Sequence, residues 1–399
     1  MSSFSWLAYS ESERERTLDI ISQFSERDTR DELGIGRIRD AFADLLFPGT
    51  STIQTRAKYF LFVPWMYREL EQRRTPSDTI AKKARRYEIQ LIDSLLQNED
   101  TDGIIGQYAK GDLQRIPSNI YWSGLGEWDI RHYNGSQNQY HNSLDVYYEI
   151  LHRDQRTETG DVVDEARSNW DPNLPSQPSD FPKTATLELR PVDAEYLQDK
   201  ILQSVSDSML AEVLYIGHLD ADPEFPWEYP YLGQLSEDVR EILAHARNFS
   251  EVMHGAALLY NLMLAQKSDD EELVDKYTSR LEEWARIVDS RRTAFNTWDI
   301  DRFWNIVSRA SATTPPGMRQ FVERWIDLAT ESPHTVSADA DARQLISDRE
   351  RRLKRGRARL HDARALEQWG GEAGAQQLNY RWSSAKTHLT DIFAGLEAA

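Results

Sequence analysis

Apolar residues recur at steps of three and four along most of the chain, the spacing that gathers them on one face of an α-helix. Ser10 and Glu13 have capping-box spacing ahead of Leu18, Ile21 and Phe24. Ile35, Ile38, Phe42 and Leu45 then follow the helical rule and stop at Pro48-Gly49. In the next stretch, FPGTSTIQTRAKYFLFVPW (47–65), Thr50, Ser51 or Thr52 is placed to cap a third helix that turns Ile53, Ala57, Phe60, Leu61 and Trp65 inward. Pro64 is expected to end or kink that helix, with Arg56 and Lys58 on its solvent side. Residues 78–97 predict another amphipathic helix, with Ile80, Ala84, Tyr87, Leu91 and Leu95 inward and the basic cluster Lys82, Lys83, Arg85 and Arg86 on it.

The pattern breaks twice. From 99 to 142 the text is rich in glycine and aromatic residues without a clean period, which predicts an irregular or β-containing insertion. Residues 157–184 hold four prolines and few aliphatic residues, the composition of an exposed linker or long loop. Helical spacing resumes at about 192–216, 236–267, 269–294, 298–311, 316–330 and 338–368. The fold class expected is mainly α, in two helical lobes: an N-terminal domain over 1–156 containing the insertion, and a C-terminal domain over 185–399.

Composition narrows the chemistry. Forty per cent apolar content with 12 Trp, 17 Tyr and 13 Phe in 399 residues suits a folded chain with real cores. Cysteine is absent, which removes disulfides, thiolate nucleophiles and cysteine metal sites. No apolar run approaches the ~18–20 residues that span a bilayer, so a cytoplasmic protein without a membrane partner is expected. Net charge is −19, with 37 Arg against 10 Lys. An acidic total repels nucleic acid at long range, so a nucleic-acid role needs a local basic surface.

Known catalytic signatures are missing. The chain has no Gly-Lys pair for a Walker loop, no acid two residues before a lysine as in many restriction-type nucleases, and no His-x-Lys. No cofactor is expected. Arg247, Asn248 and His254 match the Arg-polar-x(n)-His spacing of HEPN-type ribonucleases; seven residues apart on a helix, Arg247 and His254 share a face. Glu251, four residues after Arg247, offers the plainer reading of a surface ion-pair ladder. A second cluster, Arg131, His132, Ser136, Gln137, Gln139, Tyr140 and His141, could take a divalent ion with Asp145, or simply satisfy itself by hydrogen bonds. The strongest charge signal is RERRLKRGRARLHDAR (349–364), eight cations against two acids. As one basic helix it would keep Ile346, Leu353, Leu360 and Ala363 on an apolar stripe and leave Arg351, Arg352, Lys354, Arg355, Arg357 and Arg359 for phosphates. The bland alternative is a helix that pairs with acidic protein surface.

DELGIGRIRDAFADLLFPGTSTIQTRAKYFLFVPWMY (31–67), YWSGLGEWDIRHYNGSQNQYH (121–141), GAALLYNLMLA (255–265) and ALEQWGGEAGAQQLNYRW (365–382) together resemble an uncharacterised bacterial family, domain-of-unknown-function family 6361. The resemblance spans nearly the whole chain and brings no catalytic residues with it. It implies a place in bacterial defence islands, beside helicase and phospholipase-D-like nuclease genes. The expected function is therefore a non-enzymatic subunit of an antiphage or antiplasmid system that binds DNA or RNA and docks such a partner. Nucleic-acid contacts are expected from the basic helix and from Arg56 and Lys58. A HEPN-like ribonuclease using Arg247 and His254, and a protein-interaction scaffold, are the alternatives.

Overall fold

The computed structural model of the protein describes residues 31–109, 113–154, 168–219, 222–311 and 313–398. The helix expected around Ser10 to Phe24 lies outside them. Fifteen α-helices occur among the described residues, with no strand and a single isolated bridge between Arg131 and Trp170. In chain order they are α1 (Gly36–Leu46), α2 (Tyr59–Gln72), α3 (Ile80–Leu95), α4 (Pro117–Glu127), α5 (Gln137–Asp154), α6 (Pro191–Ser204), α7 (Met209–Ile216) and α8 (Glu237–Lys267). Then come α9 (Glu271–Ser290), α10 (Arg292–Asn296), α11 (Ile300–Ala310), α12 (Pro316–Glu331), α13 (Ala340–Lys354), α14 (Ala363–Glu367) and α15 (Trp382–Glu397). The mainly α expectation holds. The insertion at 99–142 is built from α4 and the start of α5 rather than from strands, with irregular turns between.

The chain divides into two compact units, one of residues 1–45 with 240–380 and the other of 46–239 with 381–399. Of the proline-rich stretch 157–184, the described residues 168–184 belong to the second unit. This portion is partly core: Trp170, Leu174 and Phe181 are buried. Few aliphatic residues were misleading because aromatic side chains supply the burial; Phe181 stacks on Phe62 and meets Trp65 edge-on.

In the first unit the core gathers Phe42 with Phe249, Phe303 and Tyr380. Gly255 lies on α8 where a Cβ would come within 2.3 Å of the Trp284 ring, so glycine is what lets α9 pack this closely. In the second unit Phe60 stacks on Trp128 with ring centroids 3.8 Å apart, and Tyr59, Tyr121 and His388 surround them. Burial of Phe60, Leu61 and Trp65 is as the spacing predicted.

The route into that helix differs from expectation. No side chain caps it from 50–52: α2 starts only at Tyr59, and 50–58 is a run of turns. Thr50 Oγ1 donates instead to the Phe47 carbonyl at 2.6 Å, and the Gln54 side chain accepts from Ser51 N and donates to the Gly49 carbonyl. Gly49 has φ +80, with the Trp128 indole 2.3 Å from where a Cβ would sit, which explains the Pro-Gly before the turns. Pro64 neither ends nor interrupts the helix, which continues to Gln72. At the sixth helical position proline costs one backbone bond, and buried neighbours on every side hold the remainder in place.

Candidate nucleic-acid interface

The sequence-predicted basic helix is not one helix. α13 begins with Asp339 accepting from Ala342 N and stops at Lys354, because Arg355 takes φ +53 and opens a single 3-10 turn over Arg355–Arg357. The expected apolar stripe therefore dissolves: Ile346 and Leu360 are buried, but Leu353 is 40% exposed and Ala363 is exposed.

Two buried charged residues fix this break. The Arg349 guanidinium donates to the carbonyls of Leu33 (2.7 Å), Gly34 (2.9 Å) and Gly317 (2.9 Å), and lies 5.0 Å from the Phe321 ring centroid. Burial holds it below the usual arginine range. Glu350, fully buried, accepts from Tyr260 Oη (2.7 Å), Arg359 N (2.6 Å) and Leu360 N (3.0 Å). The backbone amides of Arg359 and Leu360 thus meet an acceptor, as a desolvated backbone requires.

The remaining cations of 351–359 sort into three groups. Lys354 and Arg359 both pair with the buried carboxylate of Glu32, at 3.1 and 3.2 Å, and are internal ion-pair partners rather than phosphate contacts. Arg351 pairs with Asp348 on the surface. Arg352, Arg355 and Arg357 are exposed and form no ion pair among the described residues.

Arg56 and Lys58, expected on the solvent side, are not available either. Lys58 is buried, its Nζ 2.6 Å from Asp193 and 2.8 Å from the Glu188 carbonyl. Burial lowers its affinity for a proton, partly offset by Asp193, whose own carboxyl is held low by Arg190 and Lys58 despite burial. Arg56 contacts Asp391 at 2.9 Å and Asp100 at 3.1 Å; burial would lower its pKa, yet the two carboxylates hold it above the usual arginine range. Both side chains were misplaced because the segment is a turn pinned to the second unit's core, not a helix with a wet face.

The ribonuclease pair is not brought into a catalytic arrangement. Arg247 Nε donates to Glu251 at 2.8 Å, and Arg291 reaches the same carboxylate at 3.2 Å. His254 sits 3.2 Å from the Ala375 carbonyl and 3.5 Å from Arg280, and burial, reinforced by Arg280, pushes it down to about 4. A neutral imidazole facing its own backbone and a guanidinium is a core histidine. The 131–145 cluster likewise satisfies itself. Tyr67 Oη is 2.8 Å from both His141 Nε2 and Gln137 Nε2, Asp145 accepts from Ser77 N, and Arg131 covers the Trp122 ring. Among the described residues no three His, Asp or Glu side chains are grouped to hold a metal.

A second basic surface was visible in the sequence as the cluster on helix 78–97 but was not singled out for binding. Its α3 is placed as expected, with Ile80, Ala84, Tyr87, Leu91 and Leu95 buried, which leaves Lys82, Lys83 and Arg86 exposed.

The chain belongs to a family of unknown function (DUF6361), whose model matches residues 1–395. No curated protein and no solved structure matches it. No helix among the described residues is long and apolar enough to cross a membrane.

Proposed function

We propose that the protein is a non-enzymatic, nucleic-acid-binding subunit of a bacterial defence system, which holds DNA or RNA for a helicase or nuclease partner. The defence role and the partner rest on the family resemblance; the binding rests on the first unit's arginine turn. The observation that carries it is the contrast within 349–359: Arg349, Lys354 and Arg359 are spent on internal partners, while Arg352 in the last turn of α13 and Arg355 and Arg357 in the 3-10 turn that follows are exposed. Such guanidinium groups suit phosphate oxygens and carry no base information. The environments of Arg247 and His254 weigh against the ribonuclease reading.

Fluorescence anisotropy of the full chain with a labelled duplex and a labelled single-stranded RNA, over a salt series, tests this. Changing Arg352, Arg355 and Arg357 to Gln should make the log–log salt slope shallower by about 2.7 on the duplex and about 2.1 on the single strand, at 0.9 and 0.7 per phosphate. All sequences should weaken alike. Unchanged affinity and slope would leave the turn as a protein-docking element and favour the scaffold reading.

A further inference from the structure

The second unit carries cations whose placement nothing in its own stability explains. Residues 72–87 hold six cations, Arg73, Arg74, Lys82, Lys83, Arg85 and Arg86, against one acid, Asp78. Two of the six are occupied: Arg73 pairs with Glu69, and Arg85 donates to the Leu113 carbonyl at 2.8 Å. Arg74, Lys82, Lys83 and Arg86 are exposed and form no ion pair among the described residues.

Lys82 and Lys83 stand in the first turn of α3, which contains no acidic residue. The amide groups that end a helix there already carry partial positive charge, so these lysines are repelled by their own helix. Arg86 follows one turn later on the same face, and Arg74 precedes the helix at the end of α2 with φ +48. The net result is a positive helix terminus with Lys82 and Lys83 in its first turn, Arg86 one turn on and Arg74 before it, all four exposed. An external anion would relieve that repulsion, and helix N-termini are anion sites when such a ligand is present.

We infer that this surface, formed by Arg74, Lys82, Lys83 and Arg86, is a second contact for the phosphodiester backbone of nucleic acid, separate from the arginine turn of the first unit. The partner is nucleic acid rather than an anionic lipid surface because the helix has no apolar face to insert. Ile80, Ala84, Tyr87 and Leu91 are buried in the unit's own core, and apart from the small Ala81 the face that α3 shows solvent is polar. The inference deepens the proposed function and rests on its premise that the chain binds nucleic acid; the residues are independent of the first set.

The test uses the full chain, the same labelled duplex and RNA, and phosphatidylserine vesicles as a competing polyanion. Changing Lys82, Lys83 and Arg86 to Gln should weaken nucleic-acid binding at least tenfold near 0.1 M salt and make the duplex salt slope shallower by about 2.7. That loss should appear whether or not Arg352, Arg355 and Arg357 have also been changed. Circular dichroism checks that the variant keeps its helices. If the α3 variant binds as the parent does while the arginine-turn variant fails, the second surface is wrong and the proposed function stands. If only the α3 variant loses binding, the second surface is right and the arginine turn falls. Parent protein that binds the vesicles and neither nucleic acid overturns the inference.

Discussion

Residues 72–87 and 349–364 are the two places where an acidic chain concentrates cations, and they meet the field of a helix from opposite ends. Arg351, Arg352 and Lys354 occupy the last turn of α13, where the backbone carbonyls favour positive charge, and three of that segment's cations are consumed by buried carbonyls and Glu32. Lys82 and Lys83 occupy the first turn of α3, where positive charge is disfavoured and which holds no acidic residue. The larger cluster in sequence is thus the one with more internal reasons to exist. A count of cations shows where charge is dense; only position on the helix and the partners met there show which charges are left for a ligand.

Each basic segment stands on a buried glutamate, and the largest effects are expected from those. Glu88, on the buried face of α3, accepts from Ser118 N at 2.7 Å and Ser118 Oγ at 3.2 Å, satisfying the start of α4, and has no ion-pair partner among the described residues. Burial pushes its carboxyl up to about 8, against weaker opposing pulls from Ser118 and Arg85. Folded protein therefore keeps a proton that the unfolded chain has lost between an ordinary carboxylate pKa and about 8. Stability should be greatest at the acid end of that window, fall as pH rises through it, and level off above it, by on the order of 3–5 kcal/mol from this group. Urea unfolding of the parent and of Glu88→Gln between pH 5 and 9 checks this. The Gln variant should lose that part of the slope; an identical slope would mean that Glu88 is ionised in the folded protein and the α3 platform is more strongly charged than described.

Glu350 also accepts from a hydroxyl and from backbone amides, here Tyr260 Oη and two amides of the turn. Glu350→Ala leaves those buried donors without an acceptor and should cost about 3 kcal/mol in a urea titration, at roughly 1 kcal/mol or more per group. Because it frees the turn, it should also weaken nucleic-acid binding through the first unit while leaving the α3 surface untouched. Equal loss on an Arg352, Arg355 and Arg357 triple-variant background would break the distinction between the two surfaces.

How much of this was legible in the sequence follows from where periodicity carries the structure. α3 was visible because it has one buried face in phase with 3.6 residues, and Ile80, Ala84, Tyr87, Leu91 and Leu95 all point inward as spacing requires, whereas α8 is buried nearly all round from 248 to 265. Three features were not visible, each for a physical reason. The start of α2 at Tyr59 depends on a turn held by Gln54, Tyr121 and Asp391, partners 66 and 334 residues from the atoms they bind in the two distant cases. The helix break at Arg355 depends on Glu350 reaching forward to amides that a continuous helix would have bonded internally. The burial of Lys58 depends on Asp193, which no local pattern connects to it. Of the candidate site, the positions of the arginines were legible but not their partners, so Lys354 and Arg359 looked equivalent to Arg352 and Arg357. The glycine at 49 and the proline at 48 were legible as a turn; that Trp128 fills the space a Cβ would take was not.

The smallest expected effect is the sharpest test of the comparison, because it predicts opposite signs. Gln and the two cations have similar helix propensities, so exchanging them changes mainly the charge that meets the helix terminus. Lys82→Gln with Lys83→Gln removes repulsion at the start of α3 and should stabilise the protein by about 1 kcal/mol at low ionic strength. Arg351→Gln with Arg352→Gln removes attraction at the end of α13, together with the Arg351 pair to Asp348, and should destabilise it by a similar amount. Both differences should shrink as salt approaches 1 M, where the screening length is about 3 Å. Urea midpoints of the two double variants at 20 mM and 1 M salt check the signs and the screening together. Loss of stability from the lysine changes would show that Lys82 and Lys83 serve the fold after all, and the repulsion that motivates a second nucleic-acid surface would be gone.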